Sequence, residues 1–261
     1  MSTLSYAVRD TSTMLRRSLL HMRRYPVLTF MLLTLPIVML LLFVYVFGGT
    51  MGAGLGGAAG GRAEYASYVT PGILMLTIAS AAQGVAITVA MDMTEGIIAR
   101  FRTMRIFRPS VLTGHVVGSL IQALLGIAAL IGVAYLIGFR PDATPVEWLA
   151  IAGVLVMSSF AIIWLAVACG LVSKSVEAAS NLPMPLMLLP FLGSGFAPTE
   201  SMPGPMRWFA EYQPFTPIME TLRGLFFGTA IGANGIIAAG WCAGITLVCY
   251  VWAKKLYNRD R

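Results

Sequence analysis

Six long stretches of the sequence contain no Asp, Glu, Lys or Arg, and each is close to the length that a helix needs to cross a lipid bilayer. They cover about 27–47, 68–91, 111–139, 148–172, 178–197 and 235–253. A bilayer-spanning helix needs about 20 predominantly apolar residues. Charged residues make up only 11% of the chain, against roughly 25% in a typical soluble domain. The sequence therefore predicts an all-α integral membrane protein with six transmembrane helices, folded as a single domain over 1–261.

The fifth stretch, 178–197, differs from the others because it is interrupted by prolines. Its three prolines are Pro183, Pro185 and Pro190. A proline inside a helix removes a backbone donor and clashes with the preceding turn. Irregular backbone at membrane depth is tolerated only where protein or a water-filled cavity surrounds it. We therefore expect this stretch to be a broken helix that serves as a hinge, with Gly193 and Gly195 letting the chain turn back.

Three further segments are amphipathic and too polar to span a membrane. Residues 4–22 carry apolar side chains at spacings of three and four, with arginines on the opposite side, which is typical of a helix on a membrane surface. Residues 92–105 show a similar apolar stripe and several arginines, which predicts a short helix that links two spans. Residues 198–234 mix aromatic and charged residues and are predicted to be interfacial.

The distribution of basic residues predicts the orientation of the chain. Of its 18 Lys and Arg residues, 14 lie near the two termini, within 92–109 or at Lys174. The other four lie in the remaining polar segments: Arg62, Arg140, Arg207 and Arg223. Basic residues concentrate in cytoplasmic loops, so both termini are predicted to be cytoplasmic. The same rule accounts for the net charge of +7 without a nucleic-acid partner.

The sequence offers no pattern of catalytic or metal-binding residues. Its two histidines, His21 and His115, belong to no HExxH motif and to no triad, and no Walker A loop is present. We expect no catalytic residue, metal or cofactor on this chain. The spans also lack the carboxylates that mark ion-coupled carriers, so the chain is predicted to be a pathway that another component powers.

Four polar side chains are candidates for functional sites. Gln83, near the middle of the second stretch, either hydrogen-bonds a neighbouring helix or faces a solute path, and Asn181 is a second candidate for that path. Glu220 and Arg223 have the spacing at which opposite charges meet on a helix. They are either a solvated surface pair or a partly desolvated pair at an outer gate.

Three sequence motifs together carry a resemblance to a known family that extends over the whole chain. They are YVTPGIL at 68–74, EGIIARFRTM at 95–104, and a longer segment from Asn181 to Gly224 that includes Gly195-Phe196, Met202-Pro203, Pro214 and Glu220-x-x-Arg223-Gly224. With these motifs the chain resembles the type 2 ABC exporter permeases, most closely the daunorubicin-resistance permeases of bacteria.

The resemblance implies an ABC transporter of the bacterial plasma membrane. A second permease copy, identical or different, would pair with this one, and two copies of a separate ATP-binding subunit would carry ATP and Mg. It also implies an elbow helix at 4–22, a coupling helix at 92–105 and re-entrant outer helices at 198–234. The residues expected to contact the ATP-binding subunit are Glu95, Gly96, Arg100, Phe101 and Arg102, although such a basic segment also suits contact with lipid headgroups.

The function implied is export by alternating access of a hydrophobic or amphipathic drug, antibiotic or lipid. Relatives of this group also move polysaccharides, so a polysaccharide or glycolipid substrate is an alternative. A non-transporting membrane scaffold and an ion-coupled carrier are two further alternatives.

Overall fold

The fold is described by a computed structural model over residues 26–54, 61–94 and 108–258. The α-helices in these ranges are α1 Pro26–Leu42, α2 Gly48–Gly54, α3 Arg62–Thr94, α4 Arg108–Leu136, α5 Pro145–Val172, α6 Val176–Asn181, α7 Met184–Leu188, α8 Gly204–Tyr212, α9 Phe215–Phe227 and α10 Asn234–Asn258. A π-helical turn, Phe43–Phe47, joins α1 to α2, and a 3₁₀ turn, Thr199–Ser201, precedes α8.

Five helical segments of the described chain are long and apolar enough to cross a membrane. They are Leu33–Gly52, Arg62–Thr94, Val116–Leu136, Pro145–Val172 and Asn234–Leu256. They coincide with five of the six predicted spans, which confirms an all-helical, multi-pass membrane protein over the described residues. The predicted elbow helix, 4–22, lies outside the described residues. Of the predicted coupling helix, 92–105, only residues 92–94 are described, and they form the end of α3.

The start of α5 shows why a helix can begin before its apolar stretch. The Thr144 hydroxyl accepts a hydrogen bond from the Glu147 amide, and the Glu147 carboxylate accepts from the Thr144 amide at 2.7 Å. This capping box satisfies backbone donors that the first turn of a helix leaves unpaired. Pro145 fits the first helical position because its nitrogen has no proton to pair. The helix therefore begins three residues before the predicted 148.

The glycine-rich tract after the first span differs from expectation. The composition of 48–61 predicts a flexible loop, yet the first helical segment continues through α2 to Gly54. Glycine allows close approach here, because a Cβ on Gly52 would lie only 2.6 Å from the carbonyl oxygen of Gly61. Small residues let backbones pack closely in membrane proteins. The loop prediction is therefore wrong over 48–54, where helix and close packing replace it.

The centre of the bundle is α3, which contacts α1, α4, α5, α6 and α9. In the most apolar part of α3, 72% of the residues are buried inside the protein. The corresponding share is only 22% for α1–α2 and for α10. The packing against α5 is close because a Cβ on Gly170 would lie 2.7 Å from the carbonyl oxygen of Ala86. Helix α3 is thus enclosed by protein, whereas α1–α2 and α10 present apolar surface outwards.

The predicted fifth span is broken, as its prolines indicate. Helix α6 ends at Asn181 and α7 covers only Met184–Leu188, after which the chain continues as turns to residue 196. We call residues 176–196 the interrupted run. It lies antiparallel to α3: Ser180 contacts Gln83 near one end, and Phe196 contacts Tyr65 near the other.

Candidate functional site around Arg223

Three parts of the chain meet at the end of the interrupted run: its last turns, the beginning of α3, and the hairpin of α8 and α9. Helix α9 is amphipathic, and its buried face includes Phe215, Met219, Leu222 and Phe226. It ends at Phe227 and is followed by Gly228, whose φ of +64° is a left-handed conformation that glycine adopts without strain. This helix places Arg223 between α3 and the interrupted run.

The guanidinium of Arg223 holds all three parts together. It donates to the Glu220 carboxylate at 2.5 Å, to the Ser194 carbonyl at 2.9 Å and to the Tyr68 carbonyl at 3.2 Å. Its Cζ also lies 4.1 Å from the centre of the Tyr68 ring, within the range of a cation–π contact. One side chain therefore joins α9 to the interrupted run and to α3.

The burial of this ion pair distinguishes it from the other pair of the hairpin. The Arg223 and Glu220 side chains are 16% and 33% exposed. Arg207 and Glu211 of α8 also pair, at 2.6 Å, but are 47% and 39% exposed. The hydrogen bond and charge of Glu211 raise the pKa of Arg207 further above its usual value. Glu220 and Arg223 thus form the partly buried pair, and within one chain they are structural partners.

Gln213, which the sequence analysis did not single out, fixes the tip of the hairpin. Its Nε2 donates to the Leu189 carbonyl at 2.9 Å and to the Thr216 hydroxyl at 3.1 Å. A Cβ on Gly193 would lie 2.1 Å from that nitrogen, so the space that glycine leaves empty is what admits the amide. One feature of the sequence could have pointed to Gln213: it is an amide next to Pro214, between two amphipathic segments.

A close glycine contact fixes the end of the interrupted run against α3. A Cβ on Gly72 would lie 2.7 Å from the carbonyl oxygen of Gly195 and 2.8 Å from its Cα. Both contacting atoms belong to the backbone, which cannot move aside as the end of a side chain can. Glycine at position 72 is therefore required for the two segments to meet.

An aromatic cluster joins the first span to the same end of the run. Phe191 and Phe196 stack with centroids 4.4 Å apart and an angle of 4° between their planes. The ring centre of Phe43, in the π-helical turn, lies 4.4 Å from the ring centre of Phe196. The two irregular segments therefore pack against each other, a contact that no pattern in the sequence predicted.

The two candidates for a solute path lie near the opposite end of the run. Gln83 donates to the Ser180 carbonyl at 2.9 Å, which is the helix-packing contact considered for this amide. Asn181 is the next residue; it ends α6 and is exposed. The structure thus brings the two candidates to one level of the bundle. The predicted coupling residues lie outside the described residues: Glu95, Gly96, Arg100, Phe101 and Arg102.

Central α3, its surrounding apolar helices and the interrupted run define a multi-pass α-helical membrane protein. The sequence pattern of the ABC-2 type transporter family matches residues 9–227. The chain belongs to this family and is a transmembrane permease subunit, as the motifs predicted. Membership implies a partnership with an ABC ATP-binding subunit.

Curated relatives agree with this assignment. The chain is 27% identical over 243 residues to the daunorubicin resistance ABC transporter permease protein DrrB1 of Streptomyces coeruleorubidus, covering 91% of this chain and 83% of the relative. It is 24% identical over 175 residues to the probable doxorubicin resistance ABC transporter permease protein DrrC of Mycobacterium tuberculosis, covering 67% of this chain and 63% of the relative.

Proposed function

We propose that this chain is the permease of an ATP-driven exporter that moves a hydrophobic or amphipathic compound, such as a drug, an antibiotic or a lipid, out of a bacterial cell. Two permease copies would assemble with two ATP-binding subunits, which carry ATP and Mg. The names of the relatives, which refer to daunorubicin and doxorubicin resistance, support this substrate class. The spans predicted from the sequence lack carboxylates, which favours ATP over an ion gradient as the energy source.

The interrupted run is the observation that carries the proposal. Alternating access requires an element with two arrangements, and a helix broken at Pro183 and Pro185 is suited to bending. The end of the run near residue 196 is held by Arg223, by Gly72 and by the Phe43 contact. The end near residue 180 is tied to α3 by the Gln83 hydrogen bond to Ser180, beside the exposed Asn181. We infer that the run pivots near its prolines while the Arg223 end moves with α3 and α9.

The path of the run supports a sixth crossing. It follows α3 from Gln83 to Tyr65, a distance of about 27 Å at 1.5 Å per residue. The hydrocarbon core of a bilayer is about 30 Å thick. With six crossings, both termini would lie on one side, and the distribution of basic residues supports the cytoplasm as that side.

The α8–α9 hairpin is proposed to be re-entrant from the outer side. Its tip, Gln213, lies at the level of Leu189 in the run. From there α9 rises past Ser194, where Arg223 binds, to the loop between α4 and α5, where the Phe226 carbonyl accepts from the Asp142 amide at 3.0 Å. The chain therefore enters and leaves on the same side. In this arrangement Glu220 and Arg223 form an outer gate that holds the end of the interrupted run against α3 and α9 within each permease.

The coupling route is proposed to run along α3. The predicted contacts with the ATP-binding subunit, from Glu95 to Arg102, follow α3 directly along the chain, since α3 ends at Thr94. A displacement of this segment would reach the interrupted run through α3, its packing partner. Binding of the same segment to lipid headgroups is the competing role for its arginines.

The test is transport by the reconstituted complex of permease and ATP-binding subunit. We expect ATP-dependent movement of a planar amphipathic drug, and we expect Phe101→Ala to lower drug-stimulated ATP hydrolysis without loss of assembly. Leu136→Ala, at a position 86% exposed, is the matched control. Transport driven by an ion gradient without ATP would indicate a secondary carrier, and no transport of any lipid, drug or polysaccharide would indicate a scaffold.

Orientation is tested separately by labelling single cysteines in sealed cells. A cysteine at Ala58 should react with an impermeant reagent, and a cysteine at Thr103 should react only after the membrane is opened. Reaction at Thr103 in sealed cells would reverse the orientation and remove the coupling role.

A further inference from the structure

Helix α8 has an apolar face that the chain leaves uncovered. Trp208 is 66% exposed, Tyr212 63%, Phe209 44% and Met206 43%. Ala210 is the one buried residue of this helix, and the main contacts of α8 are with α9 and the 3₁₀ turn before it. Four large apolar or aromatic side chains are therefore displayed by a helix of only nine residues.

The side chains of α8 are segregated by chemistry. At about 100° per residue, Met206, Trp208, Phe209 and Tyr212 fall on one continuous arc, and Arg207 and Glu211 fall on the opposite side. The two charged residues pair at 2.6 Å and so neutralise each other. Ala210 lies at the edge between the two faces and touches the protein. This distribution is that of a helix at the boundary between an apolar phase and water.

The depth of α8 agrees with such a boundary. Its C-terminal end leads into Gln213, which binds Leu189 of the interrupted run. The run meets α3 at Gly72, ten residues into a helix that begins at Arg62. The contact of Gly72 with Gly195 lies about 15 Å along α3 from the beginning of that helix. Leu189 precedes Gly195 in the antiparallel run, so the end of α8 lies somewhat deeper than this contact, and Trp208 lies roughly one turn closer to the beginning of α3.

We infer that the face formed by Met206, Trp208, Phe209 and Tyr212 lies against phospholipid, at the boundary between the headgroups and the acyl chains of the outer leaflet. The face would continue the apolar surface that the spans present to lipid. Trp and Tyr concentrate at this depth because each combines an apolar ring with a polar group that can reach water. A dry contact with a second permease copy would instead leave the Trp208 N–H and the Tyr212 hydroxyl in need of partners.

The inference rests on the re-entrant arrangement proposed above and not on the nature of the transported compound. It predicts that lipid, in addition to α9, holds α8 in place. The test uses the purified permease alone, so a failure to export any drug would leave its outcome unchanged.

The first experiment measures the emission of Trp208 as the sole tryptophan. The other four are replaced by phenylalanine: Trp148→Phe, Trp164→Phe, Trp241→Phe and Trp252→Phe. In vesicles of phosphatidylglycerol brominated close to the headgroup, we expect Trp208 to lose roughly half of its emission, with a smaller loss when the bromines lie near the chain ends. A permease that retains only Trp164, which is 6% exposed, is the control and should lose little.

The other outcomes overturn the inference. Quenching of Trp208 by aqueous iodide but not by brominated lipid would place the face in water. Resistance to both quenchers would show that protein covers the face, and disulfide cross-linking between two copies would then identify that protein.

A second measurement applies if the single-tryptophan chain does not fold. Nitroxide labels are attached at Arg207 and at Phe209 in a chain with Cys169→Ala, Cys242→Ala and Cys249→Ala. We expect oxygen to relax the label at 209 more strongly than a water-soluble nickel chelate does, and the reverse at 207. Equal accessibility to the chelate at both positions would contradict a lipid-facing side.

Discussion

Helix α3 and the interrupted run lie side by side in opposite directions, and both contain proline, yet only one of them is a continuous helix. Helix α3 passes through Pro71 without a break from Arg62 to Thr94. The run breaks after Asn181 and again after Leu188. The comparison shows that one missing donor is tolerated where neighbouring helices enclose the segment, whereas three prolines within eight residues are not.

The same comparison shows how the run keeps a defined path without regular hydrogen bonds. The Gln83 amide, the absent Cβ of Gly72 and the Arg223 guanidinium position it from outside. These contacts substitute for the helical hydrogen bonds that its prolines remove. The following changes test this substitution, from the largest expected effect to the smallest.

Arg223→Ala should have the largest effect. It leaves the Glu220 carboxylate and two backbone carbonyls without their donor, and removing one partner of a partly buried pair should cost about 2–3 kcal/mol of stability. The measurement is the midpoint of thermal unfolding in detergent. Arg207→Ala, in the exposed pair of the neighbouring helix, should change the midpoint little.

A double-mutant cycle for transport, with Glu220→Gln and Arg223→Ala at matched expression, sharpens this result. We expect the effects of the two substitutions not to be additive, because the two side chains act as one coupled pair. Strictly additive effects would show that Glu220 and Arg223 act on transport independently of each other.

Gly72→Ala should have the second largest effect. The new methyl group would meet the backbone of Gly195 at 2.7–2.8 Å, and overpacking of this kind costs about 1–3 kcal/mol. Gly240→Ala is the matched control, because a Cβ on Gly240 of α10 would meet nothing within 4 Å. Equal unfolding midpoints for the two variants would show that the run is not held by this contact.

Gln83→Leu should have a smaller effect. It removes one hydrogen bond between α3 and the run, and such bonds within membranes contribute about 0.6 kcal/mol on average. Thr88→Val is the comparison, since the Thr88 hydroxyl is exposed and bonds only to the Gly84 carbonyl of its own helix. We expect only Gln83→Leu to increase hydrogen exchange at residues 180–182. Unchanged exchange there would contradict a tie between the helices.

Pro185→Ala should change stability least, by less than about 0.5 kcal/mol. The contacts from α3 and α9 remain, so restoring one donor does not rebuild the helix. A large gain in stability, together with slow transport, would show instead that the break is strained and needed for motion. Unfolding midpoints and transport rates of the same preparation distinguish these cases.

The spans and the break could be predicted because each depends on local properties of the chain. Stretches without charge, such as 148–172, indicate crossings, and three prolines in 178–197 indicate an interruption. The glycine-rich 48–54 was misjudged because composition does not reveal that a neighbouring backbone, at Gly61, needs the space. The pairing of Glu220 with Arg223 followed from their spacing, but its burial did not.

The sequence by itself determined the class of the molecule, because the cost of placing charge in a bilayer restricts where apolar stretches and arginines can lie. Only the tertiary structure decided which residues meet between distant parts of the chain, as Arg223 meets Tyr68 across 155 positions and Gln83 meets Ser180 across 97. Such contacts depend on the angle and register at which helices pack. A polar residue in an apolar helix has the same local sequence whether it faces lipid, a solute or another helix, and only the packed neighbours differ.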